Sequence, residues 1–246
     1  MLILGIDIGG SGVKCAPVDT ETGEPTQERF RLKTPHPAVP KAVAQTVGEV
    51  AAHFDWKGSV GVTFPGVVTH GVIRTAANMD PAWIGVDGPA LFGTVLKTGP
   101  DVRVRMLNDA DAAGIAEMAH GAGRGRTGVV LMLTFGTGIG SALFADGVLV
   151  PNTEFGHLEI RGRDAERRAA AQVRTKKDLS WDEWAARVEE YLQAVEALLS
   201  PDLIIVGGGV AKQADRFLPA LSTRAELVAA RLENTAGIVG AAMAAR

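Results

Sequence analysis

The sequence predicts an α/β protein built from two similar halves, and three observations lead there. Short apolar runs of strand length alternate with longer segments whose apolar residues recur at helical spacing. The opening Leu4-Gly5-Ile6-Asp7-Ile8-Gly9-Gly10-Ser11-Gly12 is echoed about half a chain later, where Val129 to Phe135 and Ile139 to Phe144 flank Gly136-Thr137-Gly138, a weak internal repeat. No low-complexity linker interrupts the 246 residues, so the halves are expected to be joined tightly.

Taken in order, Leu2 to Ile8 and Val13 to Val18 read as a hairpin closed by a glycine turn with Asp7 beside it. After the polar cluster from Asp19 to Pro25, a third strand is expected over Thr26 to Thr34, stopped by Pro35-His36-Pro37. Val39, Val43, Val47 and Val50 give Ala38 to Phe54 a helical face. Ser59 to Phe64 is a buried strand broken at Pro65-Gly66, and Thr69 to Gly88 lacks periodicity, as ligand-binding or covering loops do. Val102 to Leu107 runs into Asn108-Asp109 and an alanine-rich helix from Ala110 to Ala119, so the polar pair stands where a strand passes into a helix, the usual ligand position of open α/β folds. Ser180 with Glu183 forms a capping box, followed at helical spacing by Trp184, Val188, Leu192, Val195 and Leu199 until Pro201. Leu203 to Val206 is a last buried strand ending on Gly207-Gly208-Gly209, and Ala236 to Ala245 is a small, apolar helix.

Composition excludes several classes. With 46% hydrophobic and 22% charged residues the chain is no disordered polymer, and a net charge of −3 offers no global field for duplex nucleic acid. The 30 glycines exceed the usual share of about 7% and suggest backbone that approaches a ligand closely. Cys15 stands alone, which removes an intramolecular disulfide and any multi-cysteine metal site. Met1-Leu2-Ile3-Leu4 reads as neither signal peptide nor membrane span, so a cytoplasmic protein is expected.

The two glycine turns, bearing Gly9, Gly10, Ser11 and Lys14 in one half and Thr137 and Gly138 in the other, would present N–H groups and hydroxyls to phosphate oxygens. Asp7 would repel a bare phosphate, so it either holds Mg²⁺, directly or through water, or caps its turn. Lys14 either neutralises a transferred phosphoryl group or is a surface lysine. Asn108-Asp109 is either a helix cap or a carboxylate placed to accept the proton of an attacking hydroxyl, with the amide holding a neighbouring one. Glu154-Phe155-Gly156-His157, with Glu159 and Glu166, concentrates groups able to bind adjacent hydroxyls, and without cysteines it is a poor zinc site. From Arg161 to Lys177, seven positive residues, Arg167, Arg168, Lys176 and Lys177 among them, meet two negative ones, which suits a polyanion or a solvated face.

Asp7-Ile8-Gly9-Gly10-Ser11, Asn108-Asp109, Leu133 to Gly140, Glu154-Phe155-Gly156-His157 and Ile205-Val206-Gly207-Gly208-Gly209-Val210 together resemble the ROK family of sugar kinases and sugar-sensing repressors, over residues 3 to 243. The resemblance implies the actin-like ATPase (ribonuclease H-like) fold, two α/β domains with a central cleft, here expected as 1–108 plus about 232–246 and 109–231. It implies Asp109 as general base; Asn108, Glu154 and His157 on sugar hydroxyls; Gly66 and Asn78 lining the sugar pocket; Asp7 serving metal and phosphates; and Gly207, Gly208 and Gly209 bordering adenosine. The family's cysteine-rich zinc motif is absent after Gly156-His157, so the glutamate that follows it falls on Glu166, or on Glu159. That departure, with Val150 to Glu154 and the Ser11 turn, is similar to bacterial members that phosphorylate glucose from inorganic polyphosphate. The expected activity is therefore transfer of a phosphoryl group from polyphosphate and/or ATP to D-glucose, giving glucose 6-phosphate with Mg²⁺, in a homodimer. The alternatives are an ATP-only kinase of glucose, mannose or an N-acetylhexosamine, and a sugar-responsive repressor. The repressor is disfavoured because the first strand begins at residue 2 with no recognition helix before it.

Overall fold

The computed structural model describes residues 1–77, 79–96 and 102–246. Its chain divides into Met1–Ala116 with Thr235–Arg246, and Glu117–Asn234, each with its own core.

In the first unit, β1 (Leu2–Gly9) and β2 (Gly12–Asp19) form the expected hairpin in register Asp7 opposite Lys14 and Gly9 opposite Gly12. The third strand arrives as two fragments, β3 (Glu24–Pro25) and β4 (Phe30–Leu32), both paired to β2. Between them the chain leaves the ladder, Thr26 donating its N–H to Pro17 O at 2.8 Å. Helix α1 (Pro40–His53) starts on a proline, which has no N–H to lose in a first turn, and buries Val43, Val47 and Val50. Strand β5 (Val60–Phe64) lies parallel to β1. The region without periodicity folds into the small hairpin β6 (Val68–Thr69) and β7 (Val72–Ile73), a 3-10 turn at Pro81–Trp83, and α2 (Gly88–Leu96). It covers the core: Trp83 is fully buried, its ring 4.9 Å from Phe64 and 6.2 Å from Phe92, and its indole N–H donates to Ala38 O at 2.8 Å. Asn78 lies outside the described residues. Strand β8 (Val104–Asn108), parallel to β5, completes a six-stranded sheet and passes straight into α3 (Asp109–His120), along which the chain enters the second unit.

In the second unit β9 (Val129–Phe135), β10 (Ile139–Ala145) and β11 (Val148–Val150) form an antiparallel meander. Short pieces follow: β12 (Glu159–Ile160), β13 (Arg163–Asp164), α4 (Glu166–Ala169) and α5 (Ala171–Lys176). Helix α6 (Trp181–Leu199) has the capping box in both directions, Ser180 Oγ accepting from Glu183 N and Glu183 accepting from Ser180 N. Strands β14 (Leu203–Gly207) and β15 (Glu226–Ala229) add in parallel to β9, giving the order β11-β10-β9-β14-β15. The first sheet runs β3-β2-β1-β5-β8, so both units carry an antiparallel meander followed by two parallel strands. The weak repeat of glycine turns is thus a repeat of topology.

The chain then returns to the first unit through α7 (Ala236–Ala244), which packs on β1 and β5. Gly5 and Gly61 permit the contact, since a methyl at either would stand 1.9 Å from Ile238 O or 1.7 Å from Ala241 O. Cys15 is core: its thiol donates to Val50 O, and burial pushes its pKa up to about 12. Under the second turn, Phe135 meets Trp184 edge-on at 5.9 Å and Tyr191 at 6.3 Å. Such pairs contribute about 0.5–1.5 kcal/mol each beyond their burial, so the strand that ends in Gly136 is firmly seated.

Candidate active site

Each unit carries its own set of candidate residues. In the first, Asp7 on β1 is held through both carboxylate oxygens: Thr63 Oγ1, on the neighbouring β5, donates to Oδ1 at 2.9 Å, and Lys14 Nζ, on β2, lies 3.3 Å from Oδ2. Thr63 is itself fixed, accepting Ile8 N–H at 3.3 Å. The first turn of α7 abuts the same carboxylate, a methyl on Gly237 coming 3.1 Å from Asp7 Cγ, and a helix N-terminus is a favourable neighbour for an anion. Arg31 on β4, opposite Lys14, folds over the glycine turn and donates to Ser11 O at 2.9 Å, while Thr34 Oγ1 donates to Gly9 O at 2.5 Å. The φ angles at Gly9 and Gly12 are not positive. Their smallness serves approach instead, because a methyl on Gly12 would stand 2.5 Å from the Arg31 guanidinium.

Asn108 caps α3, its Oδ1 accepting from Ala110 N at 2.8 Å and Asp111 N at 3.0 Å, and its Nδ2 donates to Gly66 O at 3.2 Å. Cap and tether together bring Pro65-Gly66 to the strand end. Asp109, half-buried in the first turn of α3, accepts Ala110 N at 2.9 Å.

In the second unit, Gly136-Thr137-Gly138 joins β9 to β10 with Phe135 opposite Ile139. The turn is held by backbone: Gly136 N donates to Gly138 O and Gln172 N to Gly136 O, both at 3.0 Å. Gly208 has φ 81° and packs on Phe135, where a methyl would stand 2.4 Å from the carbonyl oxygen. The Gly207 to Gly209 run therefore adjoins the Gly136 turn, and at Gly208 no larger residue fits.

Glu154, His157, Asp164 and Glu166 gather beside that turn. Gly156 is buried against β10, where a side chain would meet Ile139 O at 2.2 Å, and Ser141 Oγ accepts Phe155 N at 3.0 Å and donates to Thr153 O at 2.7 Å. His157 stands 3.8 Å from Glu154 through Nε2 and 3.3 Å from Asp164 through Nδ1. Glu166 Oε2 accepts Ile139 N at 3.3 Å and fills the space over Gly138. Burial holds the Glu154 carboxyl above the ordinary carboxylate value; His157 pulls it down and Glu166 pushes it up. Of the two competing glutamates, Glu166 belongs to this group and Glu159 is exposed on β12. His157, Asp164 and Glu166 could also offer one ligand atom each to a metal ion.

The basic stretch is less uniform than its sequence. Arg161 and Arg168 share Glu190, at 2.5 and 2.8 Å, and Arg167 lies 3.7 Å from Asp164. Lys176 and Lys177, at the end of α5, are exposed and have no ion pair among the described residues. Sequence reasoning missed Thr63, Arg31 and Asp164, of which only Asp164 lay within a segment already singled out.

The ROK family model matches residues 3–173. The polyphosphate glucokinase of Mycobacterium tuberculosis (strain H37Rv) is 53% identical over 240 residues, covering 98% of this chain and 89% of that protein. The polyphosphate glucokinase of Mycobacterium leprae is 52% identical, over 98% of this chain and 73% of its own. Among solved structures, the inorganic polyphosphate/ATP-glucomannokinase of Arthrobacter sp. strain KM superposes with a TM-score of 0.93 at 49% identity, covering 98% of this chain and 97% of that one. A ROK family glucokinase from Streptomyces griseus, in complex with glucose and AMPPNP, shares the fold at 22% identity and a TM-score of 0.85, over 100% and 99% of the two chains. The fold is the actin-like ATPase fold of these sugar kinases.

Proposed function

From the premise that this chain belongs to the ROK family, we propose that it is a kinase that moves the terminal phosphoryl group of inorganic polyphosphate or ATP to the 6-hydroxyl of D-glucose. The observation that carries the reading is the 53% identity to a polyphosphate glucokinase along 98% of the chain. The name of the glucomannokinase extends the reading to mannose as a second acceptor.

In this reading Asp109 accepts the proton of the 6-hydroxyl as its oxygen attacks phosphorus in line and the bond to the departing phosphate breaks. A carboxylate at a rigid strand-to-helix junction keeps that geometry without reorganising. Glu154, His157 and Glu166 bind sugar hydroxyls, with Asp164 turning the His157 ring through Nδ1, and Asn108 holds Gly66 in place. The raised Glu154 carboxyl suits a group that gives and accepts hydrogen bonds among hydroxyls. Lys14, Arg31 and the two glycine turns offer donors to phosphate oxygens.

Mg²⁺ belongs to the same proposal. Both Asp7 oxygens are already engaged, by Lys14 and Thr63, and Mg²⁺ retains water readily, so the residues fit a hydrated ion held through water. Bound there, it would neutralise phosphate charge. A homodimer and a cytoplasmic setting are proposed from the family; no described helix is long and apolar enough to cross a membrane.

The test supplies purified protein, glucose and Mg²⁺ with polyphosphate or ATP in turn and measures glucose 6-phosphate. Product from polyphosphate supports the reading; product from ATP alone reduces it to an ordinary hexose kinase; product from neither overturns it.

A further inference from the structure

We propose that Arg174 and Arg216, gathered on the indole of Trp181, bind the distal phosphates of a long inorganic polyphosphate chain. The proposal rests on the phosphoryl-transfer reading above and names the place in the second unit where the chain is held.

The Arg174 guanidinium carbon lies 3.8 Å from the Trp181 ring centroid, and that of Arg216 lies 4.9 Å from the same centroid. An aromatic face attracts a guanidinium, yet two cations gathered on one ring repel each other. Of the other arginines of the basic stretch, Arg161 and Arg168 pair with Glu190 and Arg167 lies by Asp164, whereas Arg163 is exposed without an aromatic partner among the described residues. Among the described residues, neither Arg174 nor Arg216 forms an ion pair, although Asp178 and Asp215 are close by in the chain. Besides Trp181, Arg216 donates a hydrogen bond to Gln213 Oε1 at 3.3 Å, and Arg174 Nε is buried with no hydrogen-bond partner among the described residues. Trp181 in turn is fixed by Phe217 at 5.9 Å, nearly parallel, and by Trp184. The pair is thus rigidly presented and uncompensated, which is what a polyanion relieves.

Its position follows from the two glycine runs. Helix α5, which carries Arg174, is tied to the phosphate turn by Gln172 N on Gly136 O. Arg216 ends the 3-10 segment Gly209–Arg216, which starts where Gly208 packs on Phe135. Eight residues at about 2.0 Å each span at most about 16 Å, so both arginines stand a few phosphates away from the turn on segments rooted in it. The exposed Lys176 and Lys177 extend the same segment. To the patch expected on Arg167, Arg168, Lys176 and Lys177 the proposal adds Arg174 and Arg216 as the anchor, with the two lysines beside them.

The experiment measures binding by the full chain of fluorescent long-chain polyphosphate, tripolyphosphate, ATP and a single-stranded oligonucleotide over a range of salt, with turnover in parallel. For the R174Q/R216Q double variant we expect long-chain affinity to fall about tenfold or more, beyond any fall for tripolyphosphate or ATP. The salt slope of the long chain should drop by between about 1 and 2, as when two phosphate contacts are lost. R174K/R216K should fall between, because an ammonium keeps charge but not the planar stack. A loss no greater for the long chain than for ATP overturns the proposal, as does wild-type protein that binds no polyphosphate or prefers the oligonucleotide. Wild-type protein that binds the chain without phosphorylating glucose overturns the kinase reading instead, and the variants still decide this one.

Discussion

The two units repeat one topology but treat their glycine turns differently. In the first, side chains lock the site: Thr63 and Lys14 hold both oxygens of Asp7, Arg31 and Thr34 bind the carbonyls of the turn, and Asn108 joins the helix cap to Gly66. In the second, backbone and the Glu166 carboxylate hold the turn, and Glu154 and His157 beside it are less constrained. His157 is half exposed between Glu154 and Asp164, and Glu154 is burdened by burial and by Glu166. Under the proposed function the contrast is one of tasks. Groups that handle a reacting phosphoryl and its proton work best with no reorganisation, whereas hydroxyl-binding groups gain from partners that arrive with the ligand.

The strongest break of this comparison is at Asp109. Asp109→Asn should lower kcat by about 10²–10⁴ with an unchanged circular dichroism spectrum, and near-normal turnover would remove it as general base. Thr63→Val comes next. It leaves Asp7 Oδ1 and Ile8 N without their partner, so stability should fall by about 1–3 kcal/mol, with a higher Mg²⁺ requirement for turnover. An intact Mg²⁺ requirement at lowered stability would reduce Thr63 to a core residue.

Glu154→Gln sharpens the other side. A carboxyl raised in the folded state binds more protons than in the unfolded chain, so its relative contribution is greatest at low pH and is lost as pH rises past its folded value. The variant should therefore gain Tm relative to wild type at pH 7, show little difference near pH 4, and bind glucose more weakly. Equal Tm differences at the two pH values would contradict the burial argument. The smallest effect is expected of Ser180→Ala, which removes the α6 cap at a cost of about 1 kcal/mol in chemical denaturation while leaving KM for glucose in place.

Much of this was legible beforehand. The Asp7 and Gly136 hairpins, the Asn108-Asp109 junction and the Ser180 box are signalled by residues adjacent in the chain, because turn chemistry, caps and periodicity act over a few residues. Helix α2 was missed because its apolar residues carry no clear stripe, and the third strand was drawn too long because nothing local shows where a ladder opens. Glu166 could not be separated from Glu159 by spacing; only the folded chain brings one of them over Gly138 and leaves the other outside.

By itself the sequence determined the alternation of strand and helix, the duplicated glycine turns, the carboxylate at the strand end and the likeness to a family of sugar kinases. Tertiary structure decided which side chains those turns acquire as partners. Thr63 reaches Asp7 from a strand 56 residues away, and Arg161 and Arg168 share Glu190 while Arg174 and Arg216 meet on Trp181. The reason is physical: local propensities depend on neighbours in sequence, but a charge is compensated or left exposed by whatever the sheet and its helices carry next to it in space.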